Sequence, residues 1–177
     1  MPHFTFHGFR YAAVEGIENP QPEMFTACVM HSNMRKTGEF RCSNEKVNQL
    51  QSNISWSLRD NFFDIPSDCP QRDERLGWMG DAQVFSWTAA FNRETALFFT
   101  KWMRDISAAS SLERGVPHIV PDIQGTYSSA AWSDAAVIIP WVVYQMYGDT
   151  RILEESWKCM HEWVDYIHNH VNENGLW

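Results

Sequence analysis

No apolar run in this sequence approaches the roughly 18 residues that a membrane-crossing helix needs; the longest candidate, residues 135–143, is interrupted by Pro140. Basic residues are the scarcer charge. Fourteen Lys and Arg stand against 22 Asp and Glu, a net charge of −8, and the acids are spread along the chain instead of gathered in a tail. Phosphate binding needs a basic face, so no nucleic-acid partner is expected, and without a spanning run no membrane is expected either. Cys28, Cys42, Cys69 and Cys159 are far apart with no CxxC pair, which gives neither a disulfide framework nor a zinc site and leaves four free thiols as the expectation. There is no Gly-rich phosphate loop, no GxSxG and no Cys/His pairing in a recognisable context. The first residues lack a basic stretch followed by an apolar one, so no signal peptide is read there, and the compartment stays open.

What is present is a globular composition with one oddity. Hydrophobic residues make up 44% of the 177 residues, and nine are Trp, several times ordinary usage. Large core residues account for that, and so does a sugar cleft, because an indole stacks on the apolar face of a sugar ring.

The texture changes near residue 38. Before it, residues 4–6, 9–14 and 25–31 carry the aromatic and β-branched content of short strands, punctuated by Gly8 and the 16–22 turn region. They are too few to close a β-domain and read as the last strands of a sheet. From Ser43, a plausible N-cap, the period becomes helical, with Val47, Leu50, Ile54 and Leu58 at spacings of 3 and 4. A loop with Pro66 and Pro70 covers residues 63–77, and a helix covers 81–91. Asn92 is placed to cap a third helix, whose buried face is Phe98, Trp102 and Ile106. Residues 112–133 read as a long loop, a length more often functional than idle. Asp134 opens a helix that contains Pro140 and ends at Gly148. The last helix lays Leu153, Trp157, Met160, Val164, Ile167 and Val171 on one stripe and ends at Asn174-Gly175. The expected fold class is mainly α, helical hairpins with a β remnant in front.

Chemistry concentrates in DCPQRDERLGWMGD, residues 68–81. Four carboxylates, two guanidinium groups and an indole fall within 14 residues, on a loop leading into a helix. A solvated loop of locally paired ions is the bland reading. Against it, Trp78 lies between glycines on a loop with no helical face to hide on, and alternating signs suit a site where one carboxyl stays protonated beside charged ones.

This run resembles the signature of the α-L-rhamnosidases of glycoside hydrolase family 78. The likeness continues upstream in HFTFHGFRY and downstream in KWMRDI, GVPHIVPD, AAWSDA and PWVVYQMYGD, so it covers nearly the whole chain in order. It implies part of an (α/α)6 barrel, a six-hairpin toroid, preceded by a short β-sandwich remnant. Residues 1–38 would be the C-terminal strands of the sandwich and a linker, and 39–177 the N-terminal half of the catalytic domain. Glu74 matches the general acid that protonates the leaving glycosidic oxygen. Asp68, Arg72 and Asp81 match positions that hydrogen-bond the rhamnose hydroxyls. Trp78 and Trp132 match aromatic walls, and Asp134, beside Trp132, is a weaker candidate. Met79 stands where Thr is more usual. The resemblance implies an inverting hydrolase of terminal α-L-rhamnose on glycosides or polysaccharides, with no cofactor and no metal. Asp73 and Asp81 are the like charges within reach of Glu74, and Arg72 and Arg75 the opposing ones.

No residue here matches the family's water-activating base. Glu154, Glu155, Glu162 and Glu173 lie on or beside a regular helix and read as solvated charge. The expectation is therefore an acid without its base, in a chain that needs the rest of a parent protein or associates with itself through exposed barrel faces. The competing reading is a non-catalytic rhamnose-binding remnant of such an enzyme. A purely structural helical domain would explain the helices but not residues 68–81. His161-Glu162-Trp163-Val164-Asp165 falls short of HExxH because its last position is Asp. His168 and His170 read as groups near a helix C-terminus.

Overall fold

The computed structural model describes residues 3–125 and 127–177. Five helices carry it: α1 (Glu45–Asn61), α2 (Met79–Asn92), α3 (Ala96–Ala109), α4 (Ala135–Tyr147) and α5 (Arg151–His170). Between α1 and α2 lies a small antiparallel hairpin, β1 (Phe62–Phe63) with β2 (Ile65–Pro66). Its tight turn is made by Asp64 at φ 65°.

The core gathers around α4, which packs on α2, α3 and α5. Ala135, Ala136, Ile139, Val142 and Val143 are buried almost completely. Small residues let neighbouring backbones come close, and the aliphatic ones fill the gaps. Trp102 and Phe99 of α3 and Trp163 of α5 are the largest side chains in this core. Burying each of the larger apolar side chains contributes on the order of 2 kcal/mol. Tyr147 ties the end of α4 to the turn before α3, its hydroxyl donating to Arg93 O and accepting from Thr95 N, both at 3.1 Å. Gly148 ends α4 at φ 67°, the left-handed conformation glycine adopts without cost.

Several expectations change. The segments 4–6, 9–14 and 25–31 form no strands; they run extended and mostly exposed, broken by a single 3-10 turn at Pro22–Met24. A strand persists only against a ladder partner, and among the described residues these segments have none; the stretch is tied to the rest of the chain between and after them, by Gly8 N to Pro70 O at 2.9 Å and Ser32 N to Phe62 O at 2.9 Å. The cap of α1 is Asn44 and not Ser43, because the Asn44 side chain accepts from Lys46 N. Asn92 closes α2 instead of opening α3; Thr95 holds the N-cap position of α3. Phe98, Trp102 and Ile106 are buried as their spacing predicts. On α5 the buried stripe is Ile152, Ser156, Cys159 and Trp163. That stripe is one residue from the expected one, and Trp157 and Val164 face outward. The reason is Trp163, whose indole N–H finds a hydrogen-bond partner in Asp134, whereas among the described residues that of Trp157 has none. The four cysteines are free.

The long segment 112–133 is irregular but anchored. Trp102 Nε1 donates to Val120 O at 3.1 Å, Ser133 Oγ to Val116 O at 2.6 Å, and Ser111 and Gly115 exchange backbone bonds. It also pairs with the loop before α2: Met79 N donates to His118 O and Val120 N to Gly77 O, each at 2.9 Å. The two long loops are thus laced together at one end of the helices.

Candidate active site

The loop 68–78 is closed by its first residue. Asp68 N donates to Leu76 O at 3.1 Å, and Asp68 Oδ1 accepts from Leu76 N at 2.9 Å. Its side chain is only 8% exposed. Within this closure the chain doubles back through Glu74 N to Arg72 O at 3.0 Å and through Arg75 at φ 56°. Polar side chains then converge. Arg72 Nη2 lies 3.0 Å from Glu74 Oε2 and 3.7 Å from Asp68 Oδ2, while its Nε donates to Cys69 Sγ at 3.2 Å. Trp78 Nε1 donates to Glu74 Oε1 at 3.0 Å.

Glu74 is therefore held from both sides, by an indole N–H and by a guanidinium, with 33% of its side chain exposed. Of the two arginines weighed against it, only Arg72 faces it. Arg75 turns away to Phe6 O at 2.6 Å and covers the Phe6 ring. Asp73, weighed as a like charge, points into solvent and among the described residues pairs only with Arg75, at 3.8 Å. Asp68, Cys69 and Glu74 bring ligand atoms within 4.8 Å of one another. Arg72 addresses all three, so a guanidinium takes the place a metal cation would need. Its contacts to Cys69 first and then to Glu74 hold Arg72 firmly protonated.

Beside this cluster opens a hollow of about 560 Å³, bordered by Asp68, Asp81, Trp132, Phe62 and Phe85 among others. Asp81 sits in the first turn of α2, where a negative charge suits the helix dipole. Desolvation still pushes its carboxyl above the ordinary carboxylate range, and the charges of Asp68 and Glu74 push the same way, against its own backbone N–H. Trp132 lies over Gly80, so close that a Cβ there would touch the indole at 3.0 Å.

The expected residues thus divide. Asp68, Asp81 and Trp132 border the hollow; Arg72, Glu74 and Trp78 form the hydrogen-bonded cluster next to it, joined through Asp68. Asp134 goes elsewhere: its Oδ1 accepts from Trp163 Nε1 at 3.0 Å and its Oδ2 from Ala131 N at 2.8 Å. Both oxygens serve the scaffold. The later acids also stay apart, Glu155 on Arg104 at 2.9 Å and Glu162 near Lys158 at 3.8 Å. His161 and Asp165 pair with each other at 3.0 Å on an exposed face.

Three residues not foreseen border this region. Asn61 and Gln83 each bring to the wall of the hollow a buried amide oxygen that has no partner among the described residues. His118 bonds Ser129 at 2.7 Å beside Trp132, and desolvation lowers its pKa. Nothing in the spacing of Asn61 or Gln83 marks them, since they come from the end of α1 and the first turns of α2 and meet only at the wall of the hollow. His118 stands inside GVPHIVPD and was legible only as part of that run.

Residues 35–177 match the family described as the bacterial alpha-L-rhamnosidase 6 hairpin glycosidase domain, and residues 1–31 the bacterial alpha-L-rhamnosidase concanavalin-like domain. An alpha-L-rhamnosidase of Formosa agariphila is 46% identical across the whole chain, which spans 20% of that relative. Among solved structures, the native alpha-L-rhamnosidase of Aspergillus terreus superposes with a TM-score of 0.87 at 44% identity, over 97% of this chain and 20% of its own. The Streptomyces avermitilis alpha-L-rhamnosidase complexed with L-rhamnose gives 0.78 at 39% identity, over 80% of this chain and 14% of its own. The chain thus spans about one fifth of the length of the relatives it matches. By the match over its helical part and the identity along its whole length, the chain belongs to the bacterial α-L-rhamnosidase family and carries sequence of its six-hairpin glycosidase domain.

Proposed function

We propose that this chain supplies the sugar-binding and proton-donating part of an α-L-rhamnosidase, which hydrolyses terminal α-L-rhamnose from glycosides or polysaccharides with inversion. The observation that carries it is the joining of Glu74, Arg72, Trp78 and Asp68 into one bonded cluster at the edge of a hollow that Asp81 and Trp132 also border. Asp68 and Asp81 accept from sugar hydroxyls, and Arg72 orients them. Trp78 and Trp132 offer apolar faces to the ring and its C5 methyl. Glu74 gives its proton to the departing glycosidic oxygen. That step needs Arg72 Nη2 to leave Oε2, so substrate entry must draw the guanidinium toward the sugar. Inversion places a second carboxylate about 6.5–9.5 Å from the first, with water between. We assign that base to none of Glu154, Glu155, Glu162 or Glu173. Residues 1–38 are read as the end of a β-sandwich and its linker, and 39–177 as the first half of the barrel.

Titration with L-rhamnose tests this reading. The chain should bind the sugar, and Asp68→Ala and Trp78→Ala should each weaken binding by about tenfold or more, the effect of losing roughly 1.4 kcal/mol. Equal affinity in all three proteins would remove the sugar site.

A further inference from the structure

Cys69 has no part in the chemistry assigned so far, yet its thiol stands inside the cluster around Glu74. It is buried, on a loop with neither helix nor strand to pack it, and its Sγ accepts from Arg72 Nε at 3.2 Å. Asp68, the residue before it, faces another nitrogen of the same guanidinium, Oδ2 to Nη2 at 3.7 Å. The Arg72 side chain itself is 62% exposed. A long cationic side chain that open keeps one place only where contacts hold it. Those contacts are unequal. Glu74 Oε2 holds Nη2 at 3.0 Å, and that contact has to break before Glu74 can pass on its proton. Asp68 lies beyond hydrogen-bond length. Among the described residues, the bond from Nε to Cys69 is then the side-chain hydrogen bond that Arg72 keeps within the protein.

We infer that Cys69 is a positioning residue of the hydrolysis, whose sulfur keeps the Arg72 guanidinium at the site while Nη2 moves from Glu74 to the sugar. The inference rests on the rhamnosidase reading above and gives the cation that must move an anchor. A thiol suits the task. Sulfur is a weak, polarizable acceptor, so it holds Nε without rivalling the carboxylates or a sugar oxygen for the guanidinium's stronger bonds. Arg72 supplies the hydrogen, so the bond needs no thiolate. Otherwise a buried cysteine is a small apolar residue that fills space, and the two roles order the same variants oppositely.

Calorimetric titration of the 177-residue chain with L-rhamnose separates them. Cys69→Ser keeps an acceptor and should bind within about twofold of wild type, whereas Cys69→Ala and Cys69→Val remove it and should each bind about fivefold more weakly, the size of one ordinary hydrogen bond. Two acceptor-free variants of different volume preserve the comparison where one of them folds poorly. A space-filling cysteine gives the reverse order, with Cys69→Ser, a new hydroxyl in a buried place, the weakest binder; that order overturns the inference. Acceptor-free variants that bind as wild type does also overturn it. The path through Arg72 is tested by adding Cys69→Ala to Arg72→Ala. The loss should vanish there, and a loss that persists overturns the inference, because a residue that merely supports the loop acts whether or not the guanidinium is present. Each of these failures leaves wild-type binding of L-rhamnose intact and the sugar site standing. A wild-type chain that does not bind L-rhamnose, or an Arg72→Ala variant that binds it as well as wild type, overturns the underlying reading and this inference with it.

Discussion

Gly77 and Gly80 stand three residues apart, and each has a different reason to lack a side chain. A Cβ on Gly77 would run into the Val120 carbonyl, part of the backbone pairing that laces the two long loops together. Backbone cannot step aside, so Gly77→Ala should lower stability by about 2 kcal/mol or more, seen as a fall in Tm. On Gly80 the neighbour is the Trp132 indole at 3.0–3.1 Å, and that side chain is 40% exposed and able to shift. Gly80→Ala gains up to about 1 kcal/mol of helix propensity and pushes Trp132 off the hollow. It should therefore hold or raise Tm while weakening L-rhamnose binding, and a variant that loses both together would contradict this account. Asp81 offers a second separation of stability from binding. Its pKa is raised by desolvation first and by Asp68 and Glu74 next. The fold thus binds this proton more tightly than the unfolded chain does. The group's favourable contribution is fully present below about pH 4, the ordinary carboxylate value, and is lost as pH rises through the raised one. Asp81→Asn should accordingly match the wild type in Tm at low pH and exceed it at pH 7, while binding L-rhamnose more weakly. A Tm difference that does not grow with pH would remove desolvation as the cause.

Helices with one strongly apolar face were legible at the scale of elements, and their neighbours decided the rest. Phe98, Trp102 and Ile106 predict α3 because each is large, each is buried and nothing competes for that face. The α5 stripe slipped by one position because period alone cannot weigh an indole with a hydrogen-bond partner against one without; Trp163 reaches Asp134, and among the described residues Trp157 reaches nothing of the kind. Strand character before residue 38 misled because β-propensity describes side chains, whereas a strand also needs a neighbour's backbone. At the site, residues 68–81 were legible as a unit because loop closure gathers residues near in sequence. Asn61, Gln83 and His118 were not, since they arrive from other elements. Asp134 shows the reverse case: its place beside Trp132 in sequence suggests a sugar contact, while both its oxygens are hydrogen-bonded to Ala131 N and Trp163 Nε1. Asp134→Ala leaves the Trp163 N–H, inside the core, without its acceptor, a loss of about 1–3 kcal/mol. It should lower Tm clearly yet weaken L-rhamnose binding far less than Asp68→Ala does. The opposite order would return Asp134 to the sugar site.

Taken whole, the molecule has a core on one side of its helices and apolar side chains left over on others. Among the elements, α1 meets chiefly β1, the short strand that follows it directly, and Val47, Leu50 and Trp56 on it are 39%, 57% and 45% exposed. Val84, Trp87 and Phe91 of α2, Trp141 of α4 and Trp157 of α5 are likewise open, Val84 to 80%. Scattered exposed apolar residues are ordinary on a monomer, but helix faces carrying several large ones in register mark surfaces that bind protein. In hairpin toroids each helix pair contacts its neighbours and cannot cover its own flanks. Two consequences follow for the chain prepared alone. Its open flanks should bind one another, so sedimentation should show mass increasing with concentration, and an apolar dye should fluoresce with it. Trp87→Glu/Trp157→Glu should shift the protein toward monomer without lowering L-rhamnose affinity, because neither residue borders the hollow. Catalysis should be missing for a separate reason, that the reading proposed above assigns the base to no carboxylate among the described residues. Turnover of an aryl rhamnoside by the monomeric variant would show that a carboxylate of this chain fills that role, and the division of the acid from its base would have to be abandoned.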